Sequence, residues 1–170
     1  MNNILKKQDV LLECLKKFYS NSTNLNKFLK IIDKESNISL RAIDFLCTNY
    51  AKNKTVIYYL EKNNNKIPFN LYIEYRSQLK AYSKMQFDPF RRHERINLET
   101  TNGEIETTVA QLNFFKWAIE KKVLDWLKSN IQLIEKEMNL QISKKITKET
   151  KNELQKQAKM HKVNITVKFS

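Results

Sequence analysis

Along the first 50 residues, apolar positions recur every three or four residues, the period of helices that bury one face. Leu11, Leu15 and Phe18 form one stripe, widened by Leu12 and Tyr19. Leu25, Phe28, Leu29 and Ile32 form a second, after the polar break Ser20-Asn21-Ser22-Thr23-Asn24. Ser39 is placed to cap a third helix carrying Ile43, Leu46, Cys47 and Tyr50 on one face. Then the period changes. Val56-Ile57-Tyr58-Tyr59-Leu60 is β-branched and aromatic, and Asn63-Asn64-Asn65-Lys66 is a turn before a second extended stretch near Ile67 to Ile73. Pro68 restricts that stretch to a sheet edge. A helix is predicted from Glu74 to Lys84, and Asp88-Pro89 predicts the start of a short helix, with a capping side chain ahead of proline.

Ile96 to Thr100 and Glu104 to Thr107 alternate around Asn102-Gly103, the strongest short-range signal of a hairpin. Thr108 with Gln111 forms a capping box. It opens one long helix with Leu112, Phe115, Ile119, Val123, Trp126 and Leu127 inward. Trp126 is expected in the core. Trp117 with Phe114 belongs either to a second core layer, the preferred reading, or to an exposed stacking platform. Thr150 with Glu153 marks a second cap and a Lys-rich helix. Val163 to Phe169 alternates as a half-buried strand, expected to share a sheet with the hairpin.

The fold class is therefore α+β: a helical N-terminal half, then a small, mostly antiparallel sheet covered by long helices. One domain is expected over residues 1–170. It comprises a helical subregion (1–52) and an α+β core (53–170) that includes a basic Lys-rich helix at 143–162.

Composition removes the motif-defined enzymes. The chain has one glycine, Gly103. Phosphate-binding loops, dinucleotide fingerprints and nucleophile elbows each need at least two. Cys14 and Cys47 form no CxxC pair, and no HExxH occurs. Both cysteines fall near apolar helical faces, where Cys acts as a small hydrophobe. His93 with Glu94 and Asp88 offers one imidazole amid positive charge, too little for a metal site. No catalytic residue, metal or cofactor is expected. No apolar run approaches the roughly 18 residues of a membrane span, and the N-terminus lacks a signal-peptide core. A cytosolic or nuclear location without secretion is the expectation, with no membrane partner.

Charge supplies the positive evidence. There are 31 Lys and Arg against 18 Asp and Glu, a net +13. Lysine is spread throughout, but four of the five arginines (Arg76, Arg91, Arg92, Arg95) fall between residues 76 and 95. Arginine grips phosphate through a planar fork of donors, which lysine cannot. Arg76, Lys80 and Lys84 are spaced to line one helical face, with Tyr75, Leu79 and Tyr82 on the other. Arg91, Arg92, His93 and Arg95 would project from the short helix after Asp88. A second basic zone holds Lys144, Lys145, Lys148 and Lys151. Such lysines attract phosphate at any register, or simply solubilise a helix.

Ile38-Ser-Leu-Arg-Ala-Ile-Asp44, Thr48-Asn-Tyr-Ala-Lys52, Ser77-Gln-Leu-Lys-Ala-Tyr-Ser-Lys84, Phe87-Asp-Pro-Phe90 and Arg92-His-Glu-Arg-Ile96 resemble small basic proteins of nucleocytoplasmic large DNA viruses. Thr107-Thr-Val-Ala-Gln-Leu-Asn-Phe-Phe-Lys-Trp-Ala-Ile119 and Val163 to Phe169 fit the same uncharacterised giant-virus family. Around Arg91 to His93 the chain departs from the family's pattern, Cys then Arg-Arg before the acidic residue, so no metal or thiol role carries onto Arg91. The resemblance implies a viral protein in the host cytoplasm (the viral factory) or nucleus, with the virion as a further location, and gives no mechanism. Two functions follow. One is nucleic-acid binding, DNA ahead of RNA, in genome packaging, viral chromatin or viral gene expression. The other is a virion assembly role, docking onto acidic viral proteins.

Overall fold

A computed structural model describes residues 7–167, with side chains to His161. The chain divides into two compact units, Met1–Ile134 and Glu135–Ser170. The first opens with helices α1 (Lys7–Tyr19), α2 (Ser22–Ile32) and α3 (Leu40–Phe45). Asn21 and Ser39 cap α2 and α3 as expected of short polar residues. The Asn21 side chain accepts from the Thr23 and Asn24 amides, and Ser39 Oγ accepts from Ala42 N at 3.1 Å. Beyond α3 a π-helical turn (Leu46–Tyr50) leads into α4 (Ala51–Asn53).

Two antiparallel hairpins follow, each its own two-stranded sheet. Strands β1 (Ile57–Lys62) and β2 (Asn65–Asn70) pair with Tyr59 opposite Pro68. Helix α5 (Leu71–Tyr82) starts directly after β2, capped by the Asn70 side chain. Strands β3 (Arg95–Thr100) and β4 (Gly103–Thr108) pair with Leu98 opposite Ile105. The hairpin expected at Asn102-Gly103 is present. Its two turn residues are Thr101 and Asn102, and Gly103 supplies the left-handed backbone at φ 114°.

Helix α6 (Val109–Glu120) is the centre of this unit. It buries residues on every side, as a helix apolar all round must. Phe28 packs on Phe115 at 5.2 Å between ring centroids, and Trp117 meets Phe69, Tyr75, Phe87 and Phe114. Two deeply placed tyrosine hydroxyls donate to α6 and its end: Tyr19 to Leu112 O and Tyr58 to Lys121 O, each at 2.6 Å. Burial pushes both phenols up from their usual pKa.

Five expectations change. The long helix from Thr108 is two helices, because Lys122 adopts φ 60° and the Lys121 and Lys122 amides turn back to Trp117 O and Ile119 O. Trp117 is buried, but Trp126 is only half-buried, 6.4 Å from the Tyr50 ring. Cys47 is buried whereas Cys14 is exposed on α1. The final helix α7 (Val123–Val167), interrupted by non-helical geometry at Asn130, runs through Thr150 and over Val163–Val167. No helix therefore starts at Thr150, whose Oγ1 donates to Ile146 O. No strand occupies residues 163–167, and Lys168 and Phe169 lie outside the described residues. An alternating segment forms a strand only when an edge pairs with it, while α7 is already propagating through Lys, Gln, Glu and Ala, good helix formers.

The division into two units follows from where burial along α7 ends. The last buried apolar residue of α7 is Ile134, and beyond it Leu140, Ile142, Ile146, Leu154 and Met160 are all exposed. Among the described residues, no helix is long and apolar enough to cross a membrane.

Candidate nucleic-acid interface

The predicted interface comprises Arg76, Lys80, Lys84, Arg91, Arg92, His93 and Arg95 in the first unit, and Lys144, Lys145, Lys148 and Lys151 in the second. Arg76 and Lys80 stand one turn apart and exposed on α5. Lys84 does not extend their row. The helix ends at Tyr82, Ser83 takes φ 62°, and the reversed chain brings Lys84 Nζ to donate to the Tyr75 hydroxyl at 3.0 Å.

No helix follows Asp88-Pro89, so the expected helix N-terminus with free amides is absent there. Asp88 is almost wholly buried, and its carboxylate is taken up locally. Oδ1 accepts from Phe90 N at 3.1 Å, a side-chain turn that substitutes for a helical cap. Arg92 donates through Nε to Oδ2 at 2.9 Å and through Nη2 to Oδ1 at 3.0 Å, and its guanidinium lies over the Phe90 ring. That hydrogen bonding raises the Arg92 pKa. His93 Nε2 lies 3.4 Å from the same carboxylate.

The segment is also fastened to α6. Asp88 N donates to Ala110 O, Gln111 Nε2 to Pro89 O at 2.9 Å, and Asn113 Nδ2 to Gln86 O at 2.9 Å. Thr108 Oγ1 caps α6 by accepting from Gln111 N. The Gln111 side chain does not return the bond, because its Oε1 accepts from Thr107 Oγ1. Only half of the capping box forms. Gln111 and Asn113 are uncharged polar residues among the apolar positions of α6, the one sequence signal that could have marked this fastening.

Arg91 donates to Glu106 O at 3.1 Å and lies 3.5 Å from the Glu106 carboxylate. Arg95 is exposed in β3. Between residues 88 and 106, three arginines meet five carboxylates (Asp88, Glu94, Glu99, Glu104, Glu106). The arginine cluster is thus locally acidic on balance, with two of its forks bonded within the protein. Nearby, burial raises the Asp44 pKa against the opposing pull of Lys84 and Arg92, and burial raises the Cys47 thiol far from a reactive thiolate. Among the described residues, no three His, Cys, Asp or Glu side chains are grouped to hold a metal.

The lysines of the second unit are arranged differently. Lys144, Lys145, Lys148 and Lys151 are all exposed, and only Lys145 approaches a carboxylate, Glu149 at 4.0 Å. At about 100° per residue, Lys144, Lys148, Lys151 and Lys159 fall within an arc of about 80°, while Glu149 and Glu153 lie about 140° and 180° from Lys144. Leu140, Ser143, Thr147 and the first three of these lysines line a shallow groove of about 390 Å³. Between residues 144 and 159 one face of the helix is basic, and the acids of that stretch lie round its back.

The model of a family of unknown function, DUF7197, matches residues 2–168 of this chain. The chain belongs to the DUF7197 family. It is also similar to an uncharacterized protein of Acanthamoeba polyphaga mimivirus, 35% identical over 156 residues. That match covers 88% of this chain and 58% of the mimivirus protein, so the chain spans little more than half of its relative's length. The resemblance to an uncharacterised giant-virus family is borne out at that level. No solved structure matches this DUF7197 chain.

Proposed function

We propose that this protein of a small, basic viral family is a non-enzymatic nucleic-acid-binding protein whose main contact is the lysine face of α7. It would act on viral DNA, in packaging, chromatin or gene expression, in the viral factory, the nucleus or the virion. The supporting observation is the one-sided row Lys144, Lys148, Lys151 and Lys159, with no carboxylate on that side between its first and last lysine. Four charges along about 22 Å of helix suit a polyphosphate, which rewards each neutralised phosphate with released counterions. Arg91 and Arg92, spent on Glu106 and Asp88, contribute less than their clustering suggested.

The test is fluorescence anisotropy with a labelled DNA duplex over a range of salt. The expected result is a steep fall of affinity with salt. Replacing Lys144, Lys148 and Lys151 by Ala should make the log–log slope shallower by about three, and Arg91→Ala with Arg92→Ala should leave it nearly unchanged. A triple variant that binds like the parent would overturn the assignment to this face. A parent that binds no duplex at about 50 mM salt would overturn the function. It would advance the second reading, an assembly protein docking onto acidic viral partners, which the exposed Ile142, Ile146, Leu154 and Met160 favour.

A further inference from the structure

Each hairpin is a separate two-stranded sheet, so the first unit carries four strand edges. The outer edge of a strand holds amides and carbonyls that a further strand can pair. A two-residue turn closes each hairpin on a hydrogen-bonded pair, Lys62 with Asn65 and Thr100 with Gly103. Bonding alternates from there, so the residues between bonded pairs point their backbone groups outward. Two observations agree with that assignment. Pro68, which has no amide hydrogen to offer, falls at an outward position of β2, and the outward carbonyl of Glu106 in β4 accepts from Arg91.

Three edges are poor templates for a second copy of the same strand. Pro68 breaks the row of donors on β2. On β4, Arg91 occupies the Glu106 carbonyl, and Glu104 and Glu106 would meet their own copies with like charge. Pairing of β1 with its copy about Tyr59 would set apolar Ile57 against Glu61.

The edge of β3 is different. Its outward residues Arg95, Asn97 and Glu99 are exposed, and among the described residues they have no ion pair and no hydrogen bond outside the hairpin. A groove of about 780 Å³ runs beside them, lined by four consecutive residues, Asn97 to Thr100, with Lys16 and Asn26 on the helical side. Consecutive strand side chains point to opposite faces, so only the edge between the faces brings all four to one groove. Antiparallel pairing of two β3 strands about Asn97 uses the outward groups of both. It sets Arg95 opposite Glu99 of the second copy and Ile96 opposite its Leu98, and the twofold axis repeats both pairs. A slip of two residues in either direction loses both charge pairs.

We infer that the free edge of β3 binds a second copy of this chain, joining two β3–β4 hairpins into one four-stranded antiparallel sheet. The contact is isologous, so it closes at a dimer. A strand pair is smaller than a standard interface, so the dimer is concentration-dependent. This goes beyond the nucleic-acid reading and does not rest on it.

The experiment is sedimentation equilibrium of the full chain without nucleic acid, at low salt because exposed charge pairs are screened. Concentrations run up to about 1 mM, where even a millimolar dimer is populated. Arg95→Glu and Glu99→Arg each replace both attractive pairs by repulsive ones, and each should raise the dissociation constant about tenfold or more. Both positions are exposed, so thermal scans should show both variants folded. An equimolar mixture of the two single variants regains both pairs and should associate like the parent, and so should the chain carrying both changes. A parent that stays monomeric at the highest concentration would overturn the inference. A dimer that neither single variant weakens would also overturn it and place the contact on another surface. A mixture no more associated than its components, with both variants folded, would overturn the pairing about Asn97.

Discussion

The two hairpins of the first unit share a plan and differ in what they show to solvent. Each has two six-residue strands and a two-residue turn, and each presses one face on the core. The first anchors through Phe69, stacked near Tyr58 and Trp117, and exposes Ile57, Tyr59, Pro68 and Lys66. The second anchors through Leu98 and Thr107 and exposes Asn97, Glu99, Glu104 and Glu106. Glu99 stands directly opposite Glu104. Antiparallel pairing, strand length and turn length are common to both, so the difference lies in the side chains of alternate positions. It gives the first ribbon an apolar outer strip with one opposite-charge pair, Glu61 and Lys66, and the second an acidic outer face. The arginines sit beside the second, and part of their charge is consumed there.

Core anchors offer the largest break in this comparison. Phe69→Ala should destabilise the first unit by about 3–5 kcal/mol and Leu98→Ala by about 2–5 kcal/mol. Denaturant titrations of both variants check whether the aromatic anchor is the stronger. Equal midpoints would mean the two ribbons are held alike.

The turns differ next. Gly103→Ala forces a side chain into φ 114°, and although nothing lies within 4 Å of the added Cβ, the backbone itself resists. A loss of at least about 1 kcal/mol is expected. Asn64→Gly, at φ 62°, should change stability by only a few tenths of a kcal/mol, about as the conformational freedom of glycine allows. Thermal melts of both would expose a reversed order.

A smaller gain should come from Glu99→Lys, which turns a like-charged cross-strand pair into an attractive one. The expected stabilisation is about 0.2–1 kcal/mol, lost in high salt. The same change should raise DNA affinity slightly at low salt if the acidic surface of the second ribbon repels the ligand.

The smallest effect concerns Asp44, whose charge faces Lys84 and Arg92 on the connection leading to the second hairpin. Burial raises its folded pKa above that of the unfolded chain. The contribution of its protonated form is complete below the unfolded value, about 4, and is lost as pH rises through the folded value. Asp44→Asn should therefore melt slightly above the parent at pH 7, and the advantage should vanish as pH falls below about 4. A parent more stable than the variant at pH 7 would mean that attraction to Lys84 and Arg92 outweighs burial.

Local chemistry made much of the fold legible. Ser39 and Thr108 announced helix starts because a short oxygen side chain satisfies an amide that the helix leaves open. Gly103 announced the second hairpin because one residue there needs a positive φ. The row Lys144, Lys148 and Lys151 was legible from spacing alone. Asp88-Pro89 was not, since an aspartate ahead of proline can cap a helix or close a side-chain turn. Arg92 and the bonds from Gln111 and Asn113 decide between them.

By itself, then, the sequence determined the alternation of helix and hairpin, the buried α6 and the excess of lysine, because these follow from period, capping and composition within a few residues of each position. Tertiary structure decided which charges remain available. It turned Lys84 back on Tyr75, bound Arg92 to a buried Asp88, set Arg91 beside Glu106 and left Tyr59 in solvent. The helical course of residues 163–167 is likewise unreadable from their alternation, because a strand needs a partner edge and a helix makes its own hydrogen bonds.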